Sequence, residues 1–582
     1  MFELKWLWKY MGKKRYLFVI GLVLSAVTSF MQVINPMLSQ KLIDDVITPQ
    51  DTRLLLPILG TMLVVQVVRL TLRYVMIVCL EKNSQQMLDD VRRRMYEVIQ
   101  NQDYRFFSRI RTGDLMTRMT NDLDLIRHST AWISYNIVDS VVLFTVTILF
   151  LMTINVPMTL SLAAITPFIL LITYLFSKKI RPMYVNLRER LSRLNTVAQE
   201  NIAGNRVVKA FANEEYEKQK FEERNEEFRR MNLKTTYVGV KFQPFIDLLS
   251  QSLTVTSLLV GGVFMIQGTI TAGDMLAFSS LTWALANPLR NLGMILNDVQ
   301  RFFASCRMVI EVFYAQPTIV DRFTAQKPEK RLDGDVEFRN VSFRINGSKL
   351  LDGVSFHVKP GQTLGIMGTT GSGKTTLVNM IERVYDATEG EVLLDGRNVM
   401  DYTLSFLHSS IGMAMQDVFL FSDTVRGNVC YGKENLSLEE AVGCMKTADA
   451  DGFVQGLKDG YDTLIGERGV GLSGGQKQRI SLARALAVKP SVLILDDTTS
   501  AVDMETEQHI QRELRRLPFT CTKIVIAQRV SSLKDADLII VMDRGRIIER
   551  GTHKELLLKG GYYHHIWELQ NDIREEAVHL GA

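Results

Sequence analysis

The chain has 582 residues, too many for one hydrophobic core, so two or more domains are expected. A net charge of +5 is small for that length and gives nucleic-acid binding little compositional support. Five cysteines (Cys79, Cys306, Cys430, Cys444 and Cys521) are scattered without CxxC or metal spacing, which argues for a reducing compartment and against a disulfide framework.

The opening MFELKWLWKYMGKKR is short, basic and aromatic and leads into an apolar run with no small-residue cleavage site, so it reads as an interfacial helix before a membrane span. Six apolar segments then have the ~20 residues needed to cross a hydrocarbon layer as helices. They are Tyr16 to Leu38, Leu54 to Leu80, Trp132 to Ile154, Met158 to Phe176, Pro244 to Ile266 and Met275 to Ile295. Short links such as Asn155, Val156 and Pro157 pair the spans, whereas polar connections of about fifty to seventy residues separate span two from three and four from five. The first of these carries Arg92, Arg93, Arg94, Arg105, Arg109, Arg111, Arg118 and Arg127, and the positive-inside rule places both in the cytoplasm. Their helical periodicity predicts antiparallel prolongations of the membrane helices, projecting about 35 to 40 Å. The tips, near Arg105 to Leu115 and Gly204 to Glu215, suit docking, although a charge run also reads simply as the solvated face of a long helix.

Ionisable residues inside spans are candidates for function. Asp139 lies in span three and Asp247 early in span five, and Arg290, Asn291, Asn297 and Asp298 gather towards the cytoplasmic end of span six. One reading has Asp139 or Asp247 facing a cavity and favouring cationic amphiphiles; the other is hydrogen bonding between helices.

The Pro, Lys and Asp-containing segment 316–335 reads as a linker. Beyond it, DVEFRNVSFRI opens a soluble domain with a period-two strand signal. GTTGSGKTT (Gly368, Thr369, Thr370, Gly371, Ser372, Gly373, Lys374, Thr375, Thr376) matches GxxxxGK[ST] between the apolar strand TLGIM and the expected helix TTLVNMIERV. Such a loop curls backbone N–H groups round phosphates at a helix N-terminus, brings a lysine to the outer phosphates and offers the Thr375 hydroxyl to magnesium. Asp496 closes the strand VLILD, where a carboxylate holds Mg2+ through its waters, and Gln416 in MAMQDVFLF is a further candidate for magnesium or water. In LSGGQKQR, Ser473, Gly474, Gly475 and Gln476 form a second anion-binding nest at a helix start, and one ATP cannot use both nests in one subunit.

These motifs, in this order and ending in SAVD (Ser500 to Asp503), resemble the ATP-binding cassette superfamily, and six spans ahead of the cassette resemble a half-transporter of the exporter type. The resemblance implies a membrane all-α domain with six long helices and cytoplasmic extensions (1–315), a linker (316–335) and an α/β P-loop nucleotide-binding domain (336–582). It further implies ATP and Mg2+ as ligands, head-to-tail pairing of two cassettes, and an ATPase coupled to transport. GERG at Gly466 to Gly469 would touch the docking tips, and Ser500 to Asp503 would cross between the two nucleotide sites. Three positions depart from the family pattern: Asp497 stands where the catalytic glutamate is usual, Gln528 replaces the γ-phosphate-sensing histidine, and Ile345 stands where an aromatic often stacks on adenine. Together they imply a site that holds ATP and hydrolyses it poorly, beside a partner chain with an intact site that this chain's signature completes. The leading expectation is one subunit of a heterodimeric exporter in a bacterial-type cell membrane, in contact with lipid and moving a small amphipathic drug, lipid or peptide. The alternative is an ATP-gated channel or regulatory subunit that binds nucleotide without pumping.

Overall fold

The computed structural model describes residues 2–345, 347–433, 435–466, 469, 471–498 and 502–580, without the side chains of 13 and 572–580. Met1–Gln102 with Phe107–Gln316 form one compact unit, and Asp103–Phe106 with Pro317–Ala582 form the other.

The first unit is helical. Its long elements are α1 (Arg15–Met31), α2 (Leu55–Gln100), α3 (Ser134–Ile154), α4 (Thr166–Ala203), α5 (Glu214–Ile266) and α6 (Ala272–Phe313). With 46 residues in α2 and 53 in α5, a rise of 1.5 Å per residue makes them about 70 and 80 Å long, more than twice a ~30 Å hydrocarbon layer. Among the described residues, five helical stretches are long and apolar enough to cross a membrane: Arg15–Ile47, Thr52–Gln100, Thr112–Ile154, Val156–Ala203 and Glu214–Ile266. The sixth expected span, Met275 to Ile295, falls short of that measure although it lies in the unbroken α6. Its neighbours explain the difference. α6 packs against α3, α4, α5 and the helix Ile34–Lys41, with Ala277, Phe278, Leu281 and Ala284 wholly buried, so its surface needs small and polar residues that fit other helices more than it needs lipid-compatible ones. A capping box of Thr271 and Asp274 starts α6, and Asp44 accepts from the Thr271 hydroxyl at 2.6 Å and the Gly273 N–H at 2.9 Å. A Cβ at Gly273 would lie 2.4 Å from the Gln40 carbonyl oxygen, so only glycine permits this approach.

Among its described residues the second unit carries ten strands: β1 (Val336–Ile345), β2 (Ser348–Val358), β3 (Thr363–Gly368), β4 (Glu389–Leu394), β5 (Arg397–Asn398), β6 (Ile411–Ala414), β7 (Val492–Asp496), β8 (Thr522–Ile526), β9 (Leu538–Asp543) and β10 (Arg546–Gly551). A four-stranded antiparallel sheet has the order β2-β1-β4-β5, and a six-stranded sheet the order β10-β9-β3-β8-β7-β6. From β9 to β6 the larger sheet is parallel, with only β10 antiparallel. Leu364, Ile366, Ile494 and Ile524 are fully buried, as strands covered on both faces require. The carboxyl ends of β3, β8 and β7 therefore stand side by side, and that edge is where ligands of open parallel sheets bind.

Candidate nucleotide site

At the end of β3 the chain turns through Gly368 (φ 151), Gly371 (φ 81) and Gly373 (φ 98) into α7 (Lys374–Asn379). A Cβ at Gly368 would sit 2.2 Å from the Met542 carbonyl oxygen, and one at Gly373 2.9 Å from that of Leu350, so the loop is pressed against β9 and β2 where no larger residue fits. α7 is six residues long rather than the longer helix that TTLVNMIERV predicts. The chain reverses at Arg383 (φ 58), whose buried guanidinium binds nearby Asp386 at 2.9 Å and, across the fold, the Val320 carbonyl at 3.1 Å, and these bonds outweigh helix propensity.

Lys374 Nζ donates to the carbonyls of Gly368 (2.9 Å) and Thr369 (2.7 Å), folding back over its own loop. Ser372 is buried, and its hydroxyl has no partner among the described residues. Across the site Thr375 Oγ1 donates to Asp496 Oδ2 at 3.0 Å, bringing the two candidate magnesium ligands together from α7 and β7. Burial pushes the Asp496 carboxyl above the usual range, and neighbouring Asp497 adds to this, while the Thr375 hydroxyl and Lys374 oppose it. Burial likewise lowers Lys374, against the pull of Asp496 and Asp497. Among the described residues no three His, Cys, Asp or Glu gather as a metal cage. One carboxylate and one hydroxyl beside a glycine-rich cradle are the donor set of magnesium that keeps its waters and shares phosphate oxygens. The loop amides, the orphaned Ser372 hydroxyl and Lys374 fit a phosphate chain, while Thr375 and Asp496 fit its metal.

Asp497 has φ 49, a left-handed conformation that Asp and Asn tolerate best. Its N–H donates to the Ile526 carbonyl at 3.0 Å, tying the end of β7 to β8. Burial raises the Asp497 carboxyl, and Arg529 and Lys374 oppose it. Gln528 is exposed two residues beyond β8, and Gln416 is exposed two beyond β6, both at the same sheet edge. Ile345 ends β1 opposite Ser348 and packs, partly buried, on the sheet core.

The signature stands elsewhere. Ser473 caps α8 (Gly474–Ala487) in a capping box with Gln476: Ser473 Oγ accepts from Gln476 N at 3.3 Å and Gln476 Oε1 from Ser473 N at 2.9 Å. Ser473 and Gly474 are exposed and Gly475 is buried. α8 packs on β6, β7 and two flanking helices, while α7 packs on β2, β3 and β8, so one chain does not bring the two nests together. Of the expected contact loops, Glu467 and Arg468 of GERG and Ser500 and Ala501 of SAVD lie outside the described residues.

In the helical unit Asp139 accepts from Ser29 Oγ at 2.6 Å and Gln32 Nε2 at 3.1 Å, joining α3 to the end of α1. Asp247 pairs with Arg290 at 2.9 Å between α5 and α6 and accepts from Gln243 at 3.2 Å. Both carboxylates are thus engaged in bonding between helices. Sequence reasoning missed Arg529 in the segment after β8, and Glu507 and Gln570, which hold that segment from outside. No motif marks them, because their partners lie 22 to 42 positions away in the chain.

The family model described as the ABC transporter transmembrane region matches residues 18–289, and that described as ABC transporter matches 351–500. The uncharacterized ABC transporter ATP-binding protein YknU of Bacillus subtilis is 38% identical over 485 residues, 82% of either chain. The ATP-dependent lipid A-core flippase of Syntrophus aciditrophicus is 34% identical over 540 residues, 92% of this chain and 89% of that one. The structure of a bacterial Atm1-family ABC exporter with ATP bound superposes with a TM-score of 0.78 at 25% identity, covering 96% of this chain and 99% of that chain. With a helical membrane unit ahead of a parallel-sheet cassette in one polypeptide, the chain belongs to the ABC transporter family: it is a half-transporter of the exporter type, a multi-pass membrane ATPase coupled to transport, with its cassette in the cytoplasm.

Proposed function

We propose that this half-transporter works as one subunit of a heterodimer that exports a small amphipathic drug, lipid or peptide, and that its own nucleotide site retains ATP while hydrolysing it slowly. Asp497 carries the proposal. Its carboxylate is one methylene shorter than glutamate, and the backbone it hangs from is tied to Ile526 and held at φ 49, so it does not advance toward a water in line with the γ-phosphate. Gln528, in place of histidine, offers an amide without a titratable ring.

In this reading the loop amides of 368–376 and Lys374 bind the phosphates of ATP, Thr375 and Asp496 hold Mg2+ with Gln416 nearby, and Ile345 lies on the adenine side. Magnesium neutralises charge on the phosphate oxygens when bound. Ser473, Gly474, Gly475 and Gln476, exposed apart from the buried backbone of Gly475 and the partly buried Gln476, complete the partner's competent site. Retained ATP favours the closed cassette pair by its differential affinity for that state, so the pair opens less often while the partner site fires. Asp247, whose side chain is 41% exposed despite its ion pair, is the candidate contact for a cationic end of the solute, and Asp139, engaged with Ser29 and Gln32, is the lesser one. The test is ATPase activity of the purified single chain against that of the chain co-expressed with a second half-transporter that has Glu and His at the two departed positions. Slow turnover alone and rescue in the complex are expected; vigorous turnover by the single chain would falsify the reading.

A further inference from the structure

Among the described residues the last bond from the segment after β8 to the sheet is that of Ala527, whose N–H donates to the Ile366 carbonyl at 3.2 Å. From Gln528 to Ser532 the backbone is tied by side chains from two distant helices. One is α9 (Met504–Arg515): its Glu507, 3% exposed, lies 3.7 Å from the Arg529 guanidinium and accepts from the Ser532 hydroxyl, and Gln511 donates to the Ser532 carbonyl at 3.3 Å. The other is α10 (Tyr562–Leu580). Gln570 Oε1 accepts from the Val530 N–H at 2.9 Å, and its Nε2 donates to the Gln528 carbonyl at 3.0 Å. Val530 begins a short helix whose preceding residue, Arg529, provides no side-chain cap, so this N–H is one of the orphan donors of a helix start. Gln570 supplies the missing acceptor from forty positions away.

α10 is itself firmly seated. Tyr563 is wholly buried in one cluster with Val530, Leu533, Val541 and Leu556, its hydroxyl meets His553 Nδ1 at 2.8 Å, and Glu549 accepts from its N–H at 3.2 Å. A cleft of about 730 Å³, lined by Glu507, Arg529, Val530, Trp567 and Gln570 among others, opens beside the segment and leaves it room to move once a tie is lost.

We propose that Gln570 is a positioning residue for the nucleotide site: by bridging the backbone on both sides of Arg529, it sets where Gln528 stands and thereby how long ATP is retained. The proposal rests on the reading that Gln528 faces the γ-phosphate. It makes the C-terminal helix, outside every nucleotide-binding motif, a determinant of the site's residence time.

The test uses the full chain in lipid nanodiscs loaded with radiolabelled Mg-ATP. Loss of two hydrogen bonds of ordinary net strength is expected to speed both amide exchange over 527–533 and ATP release by about 5- to 150-fold in Gln570→Ala. Gln570→Glu keeps the acceptor for Val530 and loses the donor to Gln528, so it should fall between parent and alanine variant, and it serves in place of Gln570→Ala should that variant not fold. Gln528→Ala should also speed release, and adding Gln570→Ala to it should give little further change, since coupled residues are not additive. If Gln528→Ala leaves release unchanged, the placement of Gln528 at the γ-phosphate fails. If Gln528→Ala speeds release but Gln570→Ala and Gln570→Glu do not, or if exchange rises while release stays at the parent rate, the positioning role is overturned and the placement of Gln528 survives.

Discussion

Asp497→Glu tests the slow-site reading at one methylene. The backbone of residue 497 is held by the bond from its N–H to Ile526, by φ 49, and by buried neighbours on either side, Asp496 and Thr498. Lengthening the side chain therefore moves the carboxylate forward by about 1.5 Å, one carbon–carbon bond. A displacement of ~1 Å at a reacting centre changes rate by on the order of a hundredfold, which is ~2.7 kcal/mol of barrier. We expect Asp497→Glu to raise single-turnover hydrolysis of prebound Mg-ATP by about 10- to 100-fold, and Asp497→Glu with Gln528→His to raise it further and shorten nucleotide retention. A second consequence has the opposite sign. Glutamate tolerates the left-handed conformation less well than aspartate, so the variant should lose about 1 kcal/mol of cassette stability. Rapid-quench measurement on the full chain reads the first effect and thermal melting the second. A gain below about threefold with ATP binding intact would refute the argument from carboxylate reach.

Gly474→Asp should abolish most turnover of the co-expressed complex while sparing the melting temperature, since residue 474 is exposed and an acidic residue suits the first turn of α8. Ser473→Ala is the less clean probe: it removes the cap of α8 and should cost about 1 kcal/mol of stability in addition to activity. Thr375→Val removes the hydroxyl that bonds Asp496 and should raise the magnesium concentration for half-maximal ATP retention about tenfold, read by titration with labelled ATP; an unchanged midpoint would remove Thr375 from the metal site. Burial pushes the Glu382 carboxyl up to about 7, so the folded cassette keeps a proton that the unfolded chain, with its ordinary value near 4.5, releases. Stability therefore falls as pH rises from about 4.5 to 7, and Glu382→Gln should stabilise the cassette at pH 8 by up to about 3 kcal/mol, read as a higher melting temperature, and leave it unchanged near pH 4. An equal gain at both pH values would show that Glu382 does not carry the proton.

The features legible in the sequence are those whose physics is local. Apolar runs of membrane length, the glycine-lysine-threonine loop between a strand and a helix, the LSGGQ turn at a helix start and the aspartates ending VLILD each lie within about twenty residues, and they were enough to identify the fold class and the family. Local pattern failed where packing decides. α6 reads as less apolar than the other spans because helices rather than lipid surround it, and α7 stops early because Arg383 finds Asp386 and the Val320 carbonyl. Asp139 and Asp247 are intramembrane charges in the sequence, but that they bond Ser29 and Arg290 depends on which helices lie side by side. The bridge from Thr375 to Asp496 spans 121 positions, and the ties of Gln570 to Gln528 and Val530 span 42 and 40. Periodicity and motif spacing report one turn, one strand or one loop at a time, whereas a hydrogen bond between distant positions exists only once a parallel sheet has aligned strands far apart in the chain, and that alignment is a property of the folded core.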